Sequence, residues 1–274
     1  MLMKSNCKKI WSIETLFRYS FTICLLGLTG IECRAADVVS IEQTRTDGAA
    51  AGAMEQRSES ATSLEVDLSA GYESRYVSEG RDNLDGDGLL GNTLELGYQG
   101  FTVGIWYANS PAADYDELNS WLQYNHTIGD FEISVAYTHL RFFSADAHDN
   151  EVGLGLEYGA LPWNLAVSAL GYYSFEAEGT FFELGLNGEY EIKPWLTLSP
   201  NLVFGINSGY ISDGHNGANN LEMGLAAEIP LSDRLSLVMN GSYNFAINSD
   251  PDQYAGDESL DDFFYGGVSL TYSF

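Results

Sequence analysis

This 274-residue sequence has only three cysteines, and all of them, Cys7, Cys24 and Cys33, lie near the start. The rest of the chain therefore cannot form a disulfide framework or a cysteine-based zinc site. Long apolar runs are also scarce. The longest, at 20–31, covers about a dozen residues, whereas a helix needs roughly 20 to span a bilayer. These absences exclude a disulfide-stapled fold and argue against a helical membrane protein.

Basic residues are scarce as well, with 12 Lys and Arg against 39 Asp and Glu and a formal net charge of −27. Nucleic acid is excluded as a partner, because phosphate binding requires a basic face. A chain this acidic can instead bind cations or stay dispersed by self-repulsion. No residue pattern indicates a cofactor.

The N-terminal region has the order of an export signal. The apolar run follows a positively charged stretch, and Cys33 and Ala35 supply the small residues of a cleavage site. This order predicts a signal peptide over 1–35 that is cut near Ala35. Residues 36–63 are rich in Ala, Ser, Gly and charge without a period, so we expect a flexible periplasmic extension, with a plug inside a lumen as the alternative.

From Leu64 onward, apolar residues alternate with small or polar ones, which places the two sets on opposite faces of a strand. In the last segment, for example, Phe264, Val268, Leu270 and Tyr272 share one face. Twelve segments follow this pattern, at 64–77, 92–98, 101–108, 117–128, 131–142, 150–158, 164–175, 180–192, 196–207, 219–229, 235–247 and 262–274. The fold predicted for 64–274 is all-β, an antiparallel transmembrane β-barrel of about 12 strands.

The connections between these segments alternate in length. Short turns rich in Gly, Pro and Asp lie near 99, 129, 160, 193 and 231, and longer polar stretches lie between them. Short turns on one side and long loops on the other are typical of barrels in the bacterial outer membrane, with the turns periplasmic.

Aromatic residues form two predicted belts, as expected at the two lipid interfaces. The periplasmic belt holds Tyr98, Phe101, Tyr124, Phe131, Tyr158, Trp163, Tyr190, Trp195, Tyr272 and Phe274. The outer belt holds Tyr76, Tyr107, Phe142, Phe143, Phe175, Phe182, Phe204, Phe245 and Phe264. A soluble β-sandwich, the alternative fold, would show no such pair of belts. The expected surroundings are therefore outer-membrane lipid in a Gram-negative bacterium.

The C-terminal strand resembles the signal by which outer-membrane proteins are recognised for assembly. Phe274 supplies the terminal aromatic residue, and Tyr272, Leu270 and Val268 supply the apolar positions before it. The resemblance implies the barrel-assembly machinery as a partner. The sequence leaves open whether the barrel forms an oligomer.

Two stretches, 71–83 and 100–110, resemble the opening of the TorF-like porin family. That family pairs a first strand containing Tyr and Arg with a third strand of Gly, aromatic, Gly and Trp, as do Tyr72, Arg75, Gly100, Phe101, Gly104 and Trp106. The likeness covers about the first half of the barrel. It implies a passive channel and carries over no catalytic residues.

Function is expected on the inward face, because lumen side chains tune selectivity. By parity the pore-lining residues are Glu65, Asp67, Glu73, Arg75, Glu95, Glu132, Glu151, Glu157, Glu183, Glu189, Glu191, Glu222 and Glu228. Rings of carboxylates attract cations. The sequence therefore predicts a porin for passive diffusion of small solutes that prefers cations, unless these acids are only the hydrated side of amphipathic strands.

Three other hypotheses are weighed against the porin. Asn83, Asp85 and Asp87 match the start of a calcium loop, but its twelfth position falls on Leu94 rather than on an acid. An outer-membrane lipase needs a Ser beside a lipid-facing His, and His126 has no evident Ser partner. A structural or adhesive barrel with a blocked lumen is the third hypothesis. We expect no enzymatic activity.

Overall fold

The computed structural model describes residues 64–274. The predicted signal peptide and extension lie outside these residues and stay predictions. The described chain forms fifteen strands: β1 (Glu65–Glu73), β2 (Val77–Ser78), β3 (Arg81–Asp82), β4 (Leu89–Tyr98), β5 (Phe101–Asn109), β6 (Asp116–Ile128), β7 (Phe131–Phe142), β8 (Ala147–Leu161), β9 (Leu165–Ser174), β10 (Gly179–Gly188), β11 (Tyr190–Lys193), β12 (Leu196–Ser208), β13 (Gly217–Ser232), β14 (Leu235–Ala246) and β15 (Phe263–Ser273). No helix among the described residues is long and apolar enough to cross a membrane.

The strands close into one antiparallel barrel. Strand β1 pairs with β4 on one side and with β15 on the other, and β10 pairs with both β9 and β12. Because β11 continues β10 and the pair β2–β3 lies in a loop, the barrel has twelve strands. Closure gives every strand two neighbours, which is what a bilayer demands of backbone polar groups. The predicted fold class is confirmed.

The two ends of the barrel differ in their connections. Short turns at 99–100, 129–130, 162–164, 194–195 and 233–234 join strands at the turn end. Longer segments at 74–88, 110–115, 143–146, 175–178, 209–216 and 247–262 join them at the other end, called the mouth here. Gln99 and Gly100 both have positive φ, at 50° and 84°, as the tight turn between β4 and β5 requires.

The outer wall is a band of exposed aliphatic side chains, with Leu154 60% exposed. Aromatic pairs lie at its turn end, where the ring centroids of Phe101 and Tyr124 are 4.6 Å apart and those of Tyr272 and Phe274 are 4.7 Å apart. The predicted outer belt is wrong at two positions, Tyr76 and Phe142, which do not face outward. Phe142 pairs with the buried Glu117 and shares its inward face.

Tyr76 is misplaced because β1 ends at Glu73, whereas the sequence pattern extends it to residue 77. After Ser74, whose backbone N–H donates to Gly266 O at 2.9 Å, the chain leaves the barrel wall. The Tyr76 side chain is buried and donates its hydroxyl to Glu117 Oε2 at 2.8 Å. The chain thus turns into the lumen where the sequence pattern predicts an outward residue.

Candidate functional site

The inner wall of the barrel carries the predicted pore-lining acids. Glu65, Glu95, Glu151, Glu183 and Glu222 are buried on it, whereas Glu191 is exposed at the turn end. Arg75 differs from the prediction, because it lies beyond β1 in the 74–88 loop and not on the wall. Its guanidinium pairs with Asp82 and lies 5.3 Å from the ring centroid of Phe263.

Strands β2 and β3 form a small hairpin, the mouth hairpin, of residues 77–82. Its two-residue tip is Glu79–Gly80, and both residues have positive φ, at 49° and 71°. This is the backbone that a type I′ turn needs, and only Gly adopts it without strain. The hairpin is therefore tight, with a two-residue turn between its strands.

The tip of the mouth hairpin reaches the far wall of the barrel. Tyr172 on β9 donates its hydroxyl to Glu79 Oε1 at 2.9 Å. In the ring of twelve strands, β9 lies opposite β1, from which the loop starts. Nearer β1, the Asn244 amide donates to Gly80 O at 2.9 Å. A Cβ atom on Gly80 would lie 2.5 Å from Asn220 Cγ, so the tip lies against β13. The hairpin thus spans the mouth.

A buried cluster of Arg81, His215 and Asp257, the Asp257 anchor, joins three mouth loops. Arg81 Nη2 lies 3.0 Å from Asp257 Oδ1, and His215 Nδ1 lies 2.8 Å from Asp257 Oδ2. Burial favours the protonated acid, but hydrogen bonds from the Asp250 backbone N–H and from His215 outweigh it and lower the pKa of Asp257. Its carboxylate is therefore a charged bridge between the loops.

A second cluster packs the base of the 74–88 loop against β5 and β6. Trp106 and Trp121 lie beside Tyr76 in a buried apolar group. Tyr76 and Tyr115 both donate their hydroxyls to Glu117. Burial first, and then the Glu117 carboxylate, raise the pKa of both tyrosines. The phenols therefore stay protonated donors, and this side of the mouth is filled.

Charge in the lumen is nearly all negative. The five basic residues of the described chain lie elsewhere than on the inner wall: Arg75 and Arg81 in the mouth, Arg141 on the outer wall, and Lys193 and Arg234 at the turn end. Two carboxylate pairs face each other directly across strands, Asp67 with Glu95 and Glu132 with Glu157. Like charges in such positions repel each other, so a cation near them is favoured.

The calcium hypothesis gains no support from the geometry. The Asn83 amide donates to Ser78 Oγ at 2.7 Å, and Leu94, at the twelfth loop position, lies within β4. Across residues 64–274, no group of three His, Asp, Glu or Cys side chains could hold a metal ion.

The lipase hypothesis requires a serine hydrogen-bonded to a histidine on the outer wall, and one serine and one histidine lie side by side there near the mouth. Ser120, His139 and Asn150 lie side by side on β6, β7 and β8. His139 Nδ1 is 3.0 Å from Asn150 Oδ1. Within the described part of the chain no hydrogen bond joins Ser120 to His139, and nucleophilic catalysis requires that contact. His126, the histidine indicated by the sequence, stacks on Tyr124 with ring centroids 6.3 Å apart.

Sequence reasoning missed the residues that narrow the mouth. Glu79, Arg81, His215 and Asp257 lie in segments that the length pattern predicts as exterior loops. Loop residues follow no period, so nothing in the alternation signals that these loops fold inward. One weak signal was available. Arg81 is one of only five basic residues in this region, and a scarce cation among many acids tends to be paired.

Comparison with known proteins concerns the fold. No protein-family model matches this sequence, and neither does any curated protein. The structure is similar to that of the KdgM porin, with a TM-score of 0.53 and 10% identity over 76% of this chain and 99% of that one. It is also similar to the NanC porin, with a TM-score of 0.51 and 11% identity over 76% of this chain and 98% of that one. The chain therefore has the fold of an outer-membrane porin.

Proposed function

We propose that this protein is a diffusion channel of the bacterial outer membrane that passes small solutes and prefers cations. The observation that carries the proposal is the lumen charge. Acidic side chains line the inner wall, and both arginines of the mouth are paired with Asp82 and Asp257. A lumen of one charge sign concentrates ions of the opposite sign and excludes the others. The cleaved signal peptide and the TorF-like family resemblance remain part of the proposal.

The lumen charge also indicates which solutes are excluded. One similar structure is a KdgM porin in complex with disordered oligogalacturonate, with a TM-score of 0.52 and 9% identity over 77% of this chain and 99% of that one. Galacturonate units carry carboxylates, which the acids of the present lumen would repel. We therefore propose that the solutes here are neutral or cationic.

The test is the reversal potential of the refolded protein in a planar bilayer under a salt gradient. The informative variant is Glu132→Gln with Glu157→Gln, which neutralises one facing pair on the inner wall. We expect the ratio of cation to anion permeability to fall about two- to threefold, because negative charge is removed from the inner wall. An unchanged ratio would show that these acids do not select ions.

The matched control is Asp130→Asn with Asp233→Asn. It replaces the same number of carboxylates on two exposed residues at the turn end. We expect little change in the permeability ratio, because these exposed charges lie outside the inner wall and are screened by salt. An equal fall in both double variants would indicate surface charge rather than a lumen filter.

One observation favours a second candidate, a structural barrel with a closed mouth. Three loops meet at the Asp257 anchor, and the mouth hairpin reaches the opposite wall. This candidate predicts no steady current from protein whose folding is shown by a heat-dependent shift in electrophoretic mobility. A steady current in the same preparation would exclude it.

A further inference from the structure

We propose that residues 45–57, called the lumen segment here, extend into the barrel from the turn end and cover the inner wall of β4, β5 and β6. The segment lies outside the residues that the structure describes, whereas the wall that it contacts lies inside them. The proposal rests on the proposed channel function and adds an autoinhibitory contact, because the segment narrows the path in the half of the lumen nearest the turns.

The inner wall is buried near the turn end on one side of the barrel. Thr102 and Gln123 are each 1% exposed, Glu65 is 5% exposed, and Glu95 and Asn125 are 7% exposed. These side chains alternate with the exposed apolar residues of the outer wall, so they face the lumen. Eight strands enclose an interior that their own side chains just fill, and twelve enclose a wider one. A water-filled lumen of that width would leave these polar side chains exposed.

The mouth hairpin does not account for this burial. Its hydrogen bonds to the barrel reach Tyr172, Asn219 and Asn244, which lie at the mouth ends of β9, β13 and β14. Asn125 of the buried wall lies at the opposite end, where its backbone N–H donates to Gly100 O at 2.8 Å. The cover near the turns therefore comes from neighbouring wall side chains or from another part of the chain.

A comparison between two threonines favours another part of the chain. Thr102 lies next to the 99–100 turn, and Thr271 pairs with Ser236 next to the 233–234 turn. Both threonines face inward and have a strand on each side. Thr102 is buried, whereas Thr271 and Ser236 are only half-buried. Wall neighbours of the same kind thus leave one side of the lumen open, and the occupant lies against β4, β5 and β6.

The chain that precedes β1 starts beside this wall. Glu65 pairs with Gly97 close to the 99–100 turn, so β1 begins at the turn end. Strand β4 is the neighbour of β1, and β5 and β6 follow it around the barrel. The seven residues 58–64 span up to about 24 Å when extended, which matches the roughly 25 Å height of the apolar band of such barrels. The lumen segment can therefore reach every level of the buried wall.

Charge selects this part of the preceding chain. Arg45 and Arg57 lie at the two ends of the lumen segment, with Asp47 and Glu55 between them, so its formal charge is zero. The run 48–53 holds only Gly and Ala, whose small side chains allow a close approach to a wall. The inner wall of the described chain carries acids and no basic residue. Arginine forms strong bidentate hydrogen bonds with carboxylates, so the two arginines attach the segment to this wall.

The first test is thiol labelling of the buried wall, which needs no current. All three native cysteines lie within residues 1–33, so a chain that starts at residue 36 can carry a single new thiol. In Thr102→Cys, we expect a water-soluble maleimide to react about tenfold faster when the chain starts at residue 58 instead, because thiol labelling follows exposure. Thr271→Cys is the control and should react equally in both chains. An unchanged rate at Thr102→Cys would overturn the proposal, since the wall alone would then bury this position.

The second test is single-channel conductance in a planar bilayer. We expect the chain that starts at residue 58 to conduct about twofold more than the chain that starts at residue 36, because its lumen is wider. Arg45→Gln with Arg57→Gln in the longer chain should shift the conductance in the same direction. Asp47→Asn with Glu55→Gln is the matched control and should not raise it, because it strengthens the attraction to an acidic wall. If the shorter chain does not fold, the double arginine variant replaces it in both tests.

The outcomes separate the two proposals. No current from either chain, with normal folding, would overturn the channel function, and labelling of Thr102→Cys would still test the lumen segment. Equal conductance of the two chains, with equal labelling at Thr102→Cys, would overturn the lumen segment and leave the channel intact.

Discussion

The turn end and the mouth of the barrel are built by different means. At the turn end, Gln99 and Gly100 join two strands directly, and the wall around them is regular β-ladder. At the mouth, three loops fold together around Asp257, and the mouth hairpin spans the lumen. The inner wall carries acidic side chains along its length, whereas the loops narrow the lumen at the mouth. If the protein is the proposed channel, we therefore expect its selectivity and its size limit to be separable.

The substitution Asp257→Asn should have the largest effect on the mouth relative to the barrel wall. This substitution leaves the Arg81 guanidinium buried without its charged partner, which typically costs about 3–5 kcal/mol. We expect the mouth hairpin to detach while the barrel wall stays folded. Trypsin should then cleave after Arg81 about a hundredfold faster, because proteolysis follows the open population. Cleavage after Arg141 at the wall provides the internal control, and an equal acceleration there would indicate general unfolding instead.

The second substitution, Gly80→Ala, tests the approach of the hairpin tip to β13. Its Cβ would lie 2.5 Å from Asn220 Cγ, at a φ of 71° that disfavours side chains. A cost of about 2 kcal/mol corresponds to cleavage after Arg81 that is roughly thirtyfold faster. Gly86→Ala is the matched control, since Gly86 has a similar φ of 91° but its nearest neighbour lies at 3.5 Å. Equal effects of both substitutions would assign the result to backbone strain alone.

The smallest expected effect belongs to Tyr172→Phe. It removes the hydroxyl that donates to Glu79 Oε1 from the opposite wall. Loss of one hydrogen bond of about 1 kcal/mol predicts roughly fivefold faster cleavage after Arg81. Tyr173→Phe, on the outward face of the same strand, should leave the cleavage rate unchanged. A rate that Tyr172→Phe does not alter would mean that the far-wall contact is not needed to hold the hairpin.

The sequence predicts the barrel wall well, but it does not predict the arrangement of the loops at the mouth. Alternation gives the inward face of Glu95, Glu151 and Glu222, because a strand in a barrel must present one face to lipid and the other to water. It fails at Tyr76, where apolar and polar residues still alternate after the chain has left the wall. The Asp257 anchor joins residues far apart in the sequence, such as Arg81 and Asp257, and no local pattern encodes a contact of that kind.

The most direct test of the central claim is the reversal potential of the folded wild-type protein in a planar bilayer under a salt gradient. An inner wall with this excess of carboxylates predicts a potential of the sign given by cation permeation. It should weaken as pH falls and the lumen acids become protonated. A potential of the opposite sign, or no current from a folded barrel, would contradict the account.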